Sequence, residues 1–238
     1  MVKDKVVMIS GGSKGLGAAL AQRFSAEGAA VSICGRGSWA LNALAEELRS
    51  NGSNVLATTI DISLESDVAA WVQATRDHFG KVDALINNAS LLGPRSAIES
   101  YPLNAWRSVV DVNLTGAFLC ARETIPALRE TKGAMIHVSS GVGDHGRPYW
   151  GAYSASKNGL EALSEMLAGE LAGDGIRSNA VDPGKMRTDM RAAAYPDEDP
   201  LTLPLPSDVA DVFLYLVSDA AKDVTGQRFQ AQDFDVPE

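Results

Sequence analysis

Short apolar, β-branched runs alternate along this chain with longer segments whose apolar residues recur every three or four positions. The short runs are typical of buried strands, and the longer segments predict helices with one apolar face. Strands are predicted at residues 5–10, 29–35, 54–61, 82–90, 133–140 and 175–184. Long helical segments are predicted at about 103–130 and 151–172, and a shorter helix is expected to begin near Ser207.

Each of the first three strands is also followed by a predicted helix, because large apolar residues repeat there at helical spacing. Ser38 stands where it can cap the second of these helices. Strands and helices alternate over residues 1–238 without a break in composition. This pattern predicts a single α/β domain of the Rossmann type, a doubly wound parallel sheet with helices on both faces.

Composition and charge narrow the possible partners. The 238 residues include 30 acidic and only 21 basic side chains, giving a net charge of −9, which disfavours nucleic-acid binding. No uninterrupted apolar run approaches the length of a membrane span and the first residues lack a secretory signal, so a cytoplasmic protein with no membrane partner is expected. Cys34 and Cys120 lack metal-site spacing, and no metal is expected.

The stretch SGGSKGLG, residues 10–17, follows the first predicted strand and opens the first helix. Glycines let the backbone turn tightly and let a phosphate approach the free N–H groups of the helix N-terminus. Because the loop sits in a strand–loop–helix unit, it predicts nucleotide binding rather than a simple turn.

The same letters contain G-x-S-x-G around Ser13, which is the nucleophile pattern of α/β-hydrolases. That fold places the serine after several strands and needs an acid and then a histidine downstream. Only His78, His137 and His145 are present, and none has the late-chain context of such a triad. The hydrolase interpretation is therefore the weaker one.

Tyr153 and Lys157 lie four positions apart in the sequence YSASK, so a helix stacks both side chains on one face. Such a pair also arises by chance and is a weak signal alone. A free tyrosine has a pKa near 10, and a close ammonium in a partly dry cleft would move that pKa towards about 7. Tyr153 would then be able to exchange a proton with a substrate.

In combination, these motifs resemble the short-chain dehydrogenase/reductase family over almost the whole chain. The glycine loop matches TGxxxGxG with serine in the threonine position, and residues 87–90 match NNAG with serine in the last position. The stretch VNLTG supplies Asn113, Ser140 lies thirteen residues before Tyr153, and residues 182–188 resemble the segment PGxxxT.

The resemblance implies an oxidoreductase that transfers a hydride between a nicotinamide and a carbonyl or secondary alcohol. Tyr153 would be the general acid and base, and Lys157 would also hold the nicotinamide ribose. Ser140 would orient the substrate oxygen, although the neighbouring Ser139 competes for that role. Asn113 would hold a water that links Lys157 to solvent, unless it is a buried helix asparagine that bonds only to backbone. The alternative is a non-catalytic dinucleotide-binding sensor of the same fold.

The resemblance also implies the cofactor contacts. NAD-specific relatives place an aspartate at the end of the second strand, whereas this chain has Gly35 there, followed by Arg36. Arg36 and Lys14 can meet a 2′-phosphate, which predicts NADP(H), and Asp61 with Ile62 is expected at the adenine. The expected cofactor-binding residues are Gly11, Ser13, Lys14, Gly15, Leu16, Gly17, Arg36, Asp61, Ile62, Asn88, Ala89, Tyr153, Lys157, Pro183, Gly184 and Thr188.

These motifs do not encode the substrate. In this fold it is selected by the loops at 90–95 and 141–150 and by the segment 185–206, which is rich in proline. His145 and Trp150 are candidates to line the pocket. Arg95, Arg147 and Lys185 either favour an acidic substrate or are solvated surface charges; the second is the simpler interpretation.

A homotetramer or homodimer is expected, because the two long helical segments carry more apolar residues than one sheet face needs. The surplus residues are Trp106, Val109, Phe118, Leu163 and Leu167. Residues 224–238 start like the family's last strand but lack the glycine pair that usually follows. In the family that tail often packs between subunits, so the departure falls on a segment that the resemblance places at a subunit interface.

Overall fold

Seven parallel strands form one sheet in the computed structural model, which describes residues 2–237. The order across the sheet is β3-β2-β1-β4-β5-β6-β7, and every neighbouring pair is parallel. The predicted doubly wound sheet is thereby confirmed. The strands are β1 (Val6–Ser10), β2 (Ala30–Gly35), β3 (Val55–Thr59), β4 (Ala84–Asn87), β5 (Ala134–Val138), β6 (Arg177–Asp182) and β7 (Arg228–Gln230).

Helices cover both faces of this sheet. They are α1 (Gly15–Ala26), α2 (Ser38–Ser50), α3 (Glu65–Phe79), α4 (Leu103–Val110), α5 (Gly116–Thr131), α6 (Gly151–Leu171), α7 (Asp189–Ala194) and α8 (Asp211–Val217). The helical segment predicted at 103–130 is divided into α4 and α5 by a π-helical turn, Asp111–Thr115. The helix expected near Ser207 begins as a 3-10 turn, Pro206–Val209, before α8.

The predicted cap of α2 is wrong. Ser38 is the first helical residue, and Gly37 occupies the capping position with no side-chain hydrogen bond. The helix is held instead by its apolar face, on which Leu41, Ala45 and Leu48 are buried. Packing of that face, rather than a cap, stabilises most helices in proteins.

Alternate residues of the strands enter two separate cores. Val7 and Ile9 of β1 pack with α1, α2 and α8, whereas Met8 between them packs with α3, α5 and α6. Phe24 and Phe213 are fully buried in the first core, and burial of each such side chain contributes about 1.5–3 kcal/mol. The sheet is therefore packed between two apolar layers, which hold the strand ends in position.

The winding of the chain reverses between β1 and β4, which are neighbours in the sheet. The helix after β1 packs in one core and α5, downstream of β4, packs in the other. At such a reversal a crevice opens outside the carboxyl ends of the strands. The loops that follow β1, β4, β5 and β6 meet there, and these loops contain most of the residues singled out in the sequence.

The part of the chain that the structure describes contains one window apolar enough to be a candidate membrane span, Pro200–Val217, with a mean hydropathy of 1.2. Prolines divide this window into the turns Pro200–Thr202 and Pro206–Val209 and the seven-residue α8. Phe213 and Leu216 of α8 are fully buried in the first core. In this fold the window is not one continuous helix, and its last part, α8, packs in the core.

Candidate active site

The glycine loop is folded so tightly that its glycine positions do not tolerate side chains. Gly11 and Gly15 have φ angles of 68° and 56°, a region that L-residues rarely adopt. A Cβ atom on Gly17 would lie 2.2 Å from the carbonyl oxygen of Gly11, and one on Gly11 would lie 2.8 Å from the Cα atom of Ala89. The loop therefore presents bare backbone and the N-terminus of α1 to the crevice, which suits an anionic phosphate.

A serine hydroxyl joins this loop to the end of β4. Ser10 Oγ accepts hydrogen bonds from the backbone N–H groups of Asn88 and Ala89, at 3.0 and 3.1 Å. The amide of Asn88 in turn donates to the carbonyl oxygens of Ser10 and Gly11, at 2.9 and 3.1 Å. From the sequence, Ser10 was recognised only as a replacement for threonine, and its role in joining the two loops was missed. Its position directly before the glycines was the feature that could have indicated this role.

The tyrosine and lysine of the YSASK stretch lie in the first two turns of α6 and face the end of β5. Both are buried, with Tyr153 8% and Lys157 2% exposed. The ammonium of Lys157 lies 5.7 Å from the centre of the Tyr153 ring and donates to the carbonyl oxygen of Val138 at 2.6 Å. The predicted spacing thus brings the pair together, and the lysine is also bound to the strand.

The expected fall in the Tyr153 pKa is not found. Burial raises the pKa of Tyr153 to about 12, the neighbouring Ser140 side chain lowers it, and the negative charge of Asp182 raises it. Burial lowers the pKa of Lys157 to about 8, whereas Glu161 and Asp182 raise it. Desolvation outweighs the hydrogen bond with Ser140, so at neutral pH the phenol keeps its proton and is suited to donating it.

Ser140 lines the crevice beside Tyr153, as its spacing predicts. Ser139 also borders the crevice, but it is only 2% exposed and its hydroxyl is buried without a hydrogen-bond partner. A Cβ atom on Gly143 would lie only 2.3 Å from Ser139 Oγ, which shows how tightly the next loop covers that serine. Of the two competing serines, the geometry favours Ser140 as the one able to touch a substrate.

Asn113 lies in the π-helical turn between α4 and α5 and is 1% exposed. Its Oδ1 accepts from the backbone N–H of Leu91 at 2.7 Å, and its Nδ2 donates to the Leu91 carbonyl at 2.9 Å and to Ser156 Oγ at 3.1 Å. Both amide hydrogens are used, so the side chain braces the loop after β4 against α6. The water-holding role stays a prediction.

Two cations lie at the opposite end of the crevice, where β2 ends. Arg36 and Lys14 are exposed and line it, and Lys14 pairs with Asp189 at 3.4 Å. Burial raises the pKa of Asp61, but hydrogen bonds from Ser63 and the charge of Arg36 hold it below its usual value. The pairing of Lys14 with Asp189 leaves its ammonium only partly available to a ligand, which the sequence did not reveal.

Apolar side chains from two segments enclose the space above Tyr153. Trp150 is buried there, 7% exposed, with its ring centroid 5.8 Å from that of Tyr153, and Met190 is half-buried in the same cluster. Met186, 9% exposed, also lines the crevice but packs in the first core. Arg95 stacks over the Trp150 ring at 5.2 Å and donates to the carbonyl of Ala194 at 2.6 Å, so it serves the structure of the pocket wall.

His145 does not line this pocket, because its side chain is 66% exposed and contacts Asp144. His78 contacts Asn54 and His137 contacts Asn87. Among residues 2–237, no hydrogen bond joins a histidine to Ser13, so the structure offers no support for a hydrolase.

The crevice has a volume of about 970 Å³ and runs from Arg36 to Trp150. All the predicted cofactor-binding residues line it except Gly17, which lies beneath Gly11. Of the four predicted catalytic residues, Ser140, Tyr153 and Lys157 line it and Asn113 does not. Asp182, at the end of β6, also lines it and was not predicted as a site residue.

A model of the family described as short chain dehydrogenase matches residues 5–199. A 3alpha-hydroxysteroid dehydrogenase from Mediterraneibacter gnavus is 36% identical, with 95% of each chain covered. A short chain dehydrogenase structure from Pseudomonas syringae is similar with a TM-score of 0.94 and 35% identity, covering 97% of this chain and 96% of that one. One from Shigella flexneri 2a strain 301, complexed with NADP, has a TM-score of 0.93 and 30% identity, covering 97% and 98%. This chain belongs to the short-chain dehydrogenase family of oxidoreductases.

Proposed function

We propose that this protein is an NADP(H)-dependent oxidoreductase that acts on a carbonyl or secondary alcohol. The observation that supports this most strongly is one continuous crevice with a glycine cradle in its middle, two cations at one end and the buried Tyr153–Lys157 pair at the other. The Shigella relative, similar over nearly its whole length, is a complex with NADP. A sensor without activity would not need a buried acid and base in the same crevice.

The residues fit a dinucleotide in a definite direction. The bare loop between Gly11 and Gly15 would hold the pyrophosphate at the N-terminus of α1. Asp61 and Ile62 would lie at the adenine, and Lys157 at the nicotinamide ribose. When bound, the cofactor supplies or accepts the hydride.

The chain's own residues would handle the proton. Tyr153, neutral because burial raises its pKa to about 12, would donate its proton to the substrate oxygen during carbonyl reduction. Ser140 would hold that oxygen against the phenol, and Trp150 with Met190 would exclude water around it. Lys157 would then return a proton to the phenolate through its ammonium.

The preference for NADP(H) is supported by the residues at the end of β2. Gly35 lacks a carboxylate that would repel a 2′-phosphate, and Ser13 lies against it, since a Cβ atom on Gly35 would be 3.4 Å from Ser13 Oγ. Arg36 presents an exposed guanidinium at the same point. Lys14 would have to leave Asp189 to join it.

The proposal is tested by mixing the purified protein with NADPH or NADP and a panel of carbonyls and secondary alcohols, while nicotinamide absorbance is followed. Turnover with at least one compound, lost in Tyr153→Phe, is expected. Tight NADPH binding with no turnover of any compound would favour the sensor, and absence of binding would reject both.

We also propose that the protein is a homotetramer or homodimer. The supporting surface is smaller than the sequence indicated, because Val109, Leu163 and Leu167 are already buried within the chain. Phe118 remains 44% exposed and Met166 on α6 is 55% exposed. Light scattering should give a multiple of the 25.1 kDa chain mass.

A further inference from the structure

An arginine on the C-terminal strand reaches the candidate active site. Nε of Arg228 donates to Glu161 Oε1 at 2.9 Å, and Nη2 donates to Asp182 Oδ2 and to the Ser140 carbonyl oxygen, both at 3.2 Å. With its amide oriented so that both ends are satisfied, Gln230 accepts from Nη1 at 2.7 Å and donates to Asp182 Oδ2 at 2.9 Å. One guanidinium thus connects β7 with α6, with the end of β6 and with the backbone of the candidate catalytic serine.

The charged groups around this guanidinium are carboxylates, and two of them are largely shielded from water. The side chains of Asp182 and Glu161 are only 6% and 13% exposed, and Asp144 Oδ2 lies 3.9 Å from Nη1 of Arg228. Asp182 Oδ1 also accepts the backbone N–H of Gly184 at 2.9 Å. Removing the cation would leave two enclosed carboxylates without the ion pairs that they form with Arg228.

The same carboxylates act on the tyrosine–lysine pair. Glu161 follows Lys157 by one turn of α6, and Asp182 lines the crevice next to it. The other groups facing the ammonium are the Val138 carbonyl, the Tyr153 ring and His137, whose pKa burial lowers to about 4 and which is therefore neutral. Burial lowers the pKa of Lys157 to about 8 while both carboxylates raise it.

We propose, on the basis of the function proposed above, that Arg228 is a positioning residue of this active site. It offsets part of the negative charge of Asp182 and Glu161, so that these carboxylates hold protons less strongly on the tyrosine–lysine pair. It also fixes the backbone of Ser140. β7 belongs to the C-terminal segment that lacks the family's usual glycine pair, and through Arg228 it influences proton transfer by Tyr153 and Lys157. Arg228 itself does not line the crevice.

The direct test is the protonation of Lys157 in the intact protein, measured by NMR titration of lysine labelled with carbon-13 at Cε. Its signal is assigned by its loss in Lys157→Met. In Arg228→Met the pKa of Lys157 should rise by about one unit, because the carboxylates lose their counter-charge. Adding Asp182→Asn should bring it back towards the wild-type value. An unchanged Lys157 pKa in Arg228→Met would overturn the proposal.

Arg129→Met is the matched control, since Arg129 forms a 2.7 Å pair with Asp174 and its side chain is 53% exposed on α5, outside the crevice. It should leave the Lys157 pKa unchanged. If Arg228→Met does not fold, Arg228→Gln removes the same charge while keeping a polar group, and the same shift is expected. The titration needs no turnover, so it decides this proposal even if no oxidoreductase activity exists.

Kinetics give the second measurement. In the direction of alcohol oxidation, the rising limb of the kcat profile should move to higher pH by about one unit in Arg228→Met, a loss of about tenfold below the limb. At pH values above the rising limb, kcat should approach the wild-type value. Arg228→Lys, which keeps a positive charge, should show a smaller shift of the limb than Arg228→Met. An equal loss at every pH would show that Arg228 serves only folding and would count against the proposal.

Discussion

Replacing Arg36 with alanine should change the coenzyme preference without changing the chemistry. Arg36 is exposed at the mouth of the crevice, immediately after Gly35, and its charge reaches Asp61. A charge-assisted contact between a guanidinium and a phosphate contributes about 1.5–3 kcal/mol. Solvent and Asp61 both weaken this contact, so about 1.5–2 kcal/mol is expected, which is a factor of about 10 to 30.

The assay is kcat/KM for NADPH and for NADH, with one carbonyl substrate at fixed, low salt. In Arg36→Ala the value for NADPH should fall by about 10- to 30-fold and the value for NADH should stay within about twofold, because only NADPH has the phosphate. Raising the salt concentration should narrow the wild-type preference, since the contact is exposed.

Two further variants sharpen the interpretation. Arg107→Ala removes an exposed arginine from α4 outside the crevice and should change neither value. Asp189→Asn frees Lys14 from its 3.4 Å pair and should raise kcat/KM for NADPH by about two- to threefold, the size of a weak surface pair. An equal fall for both coenzymes in Arg36→Ala, or no fall for NADPH, would refute the assigned role of this arginine.

Three other changes test separate parts of the structure. Tyr153→Phe should reduce kcat at least about a hundredfold with NADPH affinity nearly unchanged, because only the proton donor is lost; a tenth of wild-type activity remaining would exclude Tyr153 as the acid. Gly17→Ala should cost about 1–3 kcal/mol of unfolding free energy, because its Cβ atom would meet the Gly11 carbonyl at 2.2 Å, whereas Gly173→Ala, with open space around it, should not; equal melting temperatures would contradict this. The pKa of His137 is lowered to about 4 by burial, so its contribution to stability is complete above pH 6.5 and is lost as pH falls towards 4. By pH 5 the wild type should lose about 2 kcal/mol more than His137→Phe, as measured by urea unfolding, and parallel pH profiles would contradict the burial argument.

Much of the fold could be predicted because the signals are local. The alternation of short β-branched runs with amphipathic segments depends on neighbours a few positions apart, and so do the glycine loop and the Tyr153–Lys157 spacing. The parallel sheet then brings the strand ends to one edge, so residues recognised separately, such as Ser140 and Asn88, meet in one crevice. The strand and helix ends were less well predicted, as Ser38 illustrates, because packing of an apolar face overrides a capping preference.

The sequence by itself thus determined the class of fold, the loop that suits a phosphate and the side chains brought to the crevice. Tertiary structure alone decided how those side chains behave. Burial raises the Tyr153 pKa, Asn113 is occupied by the Leu91 backbone, and Arg228 meets Asp182 across β6 and β7. Desolvation and hydrogen bonding depend on every group around an atom, and most of those groups lie many residues away in the chain, where no local pattern records them.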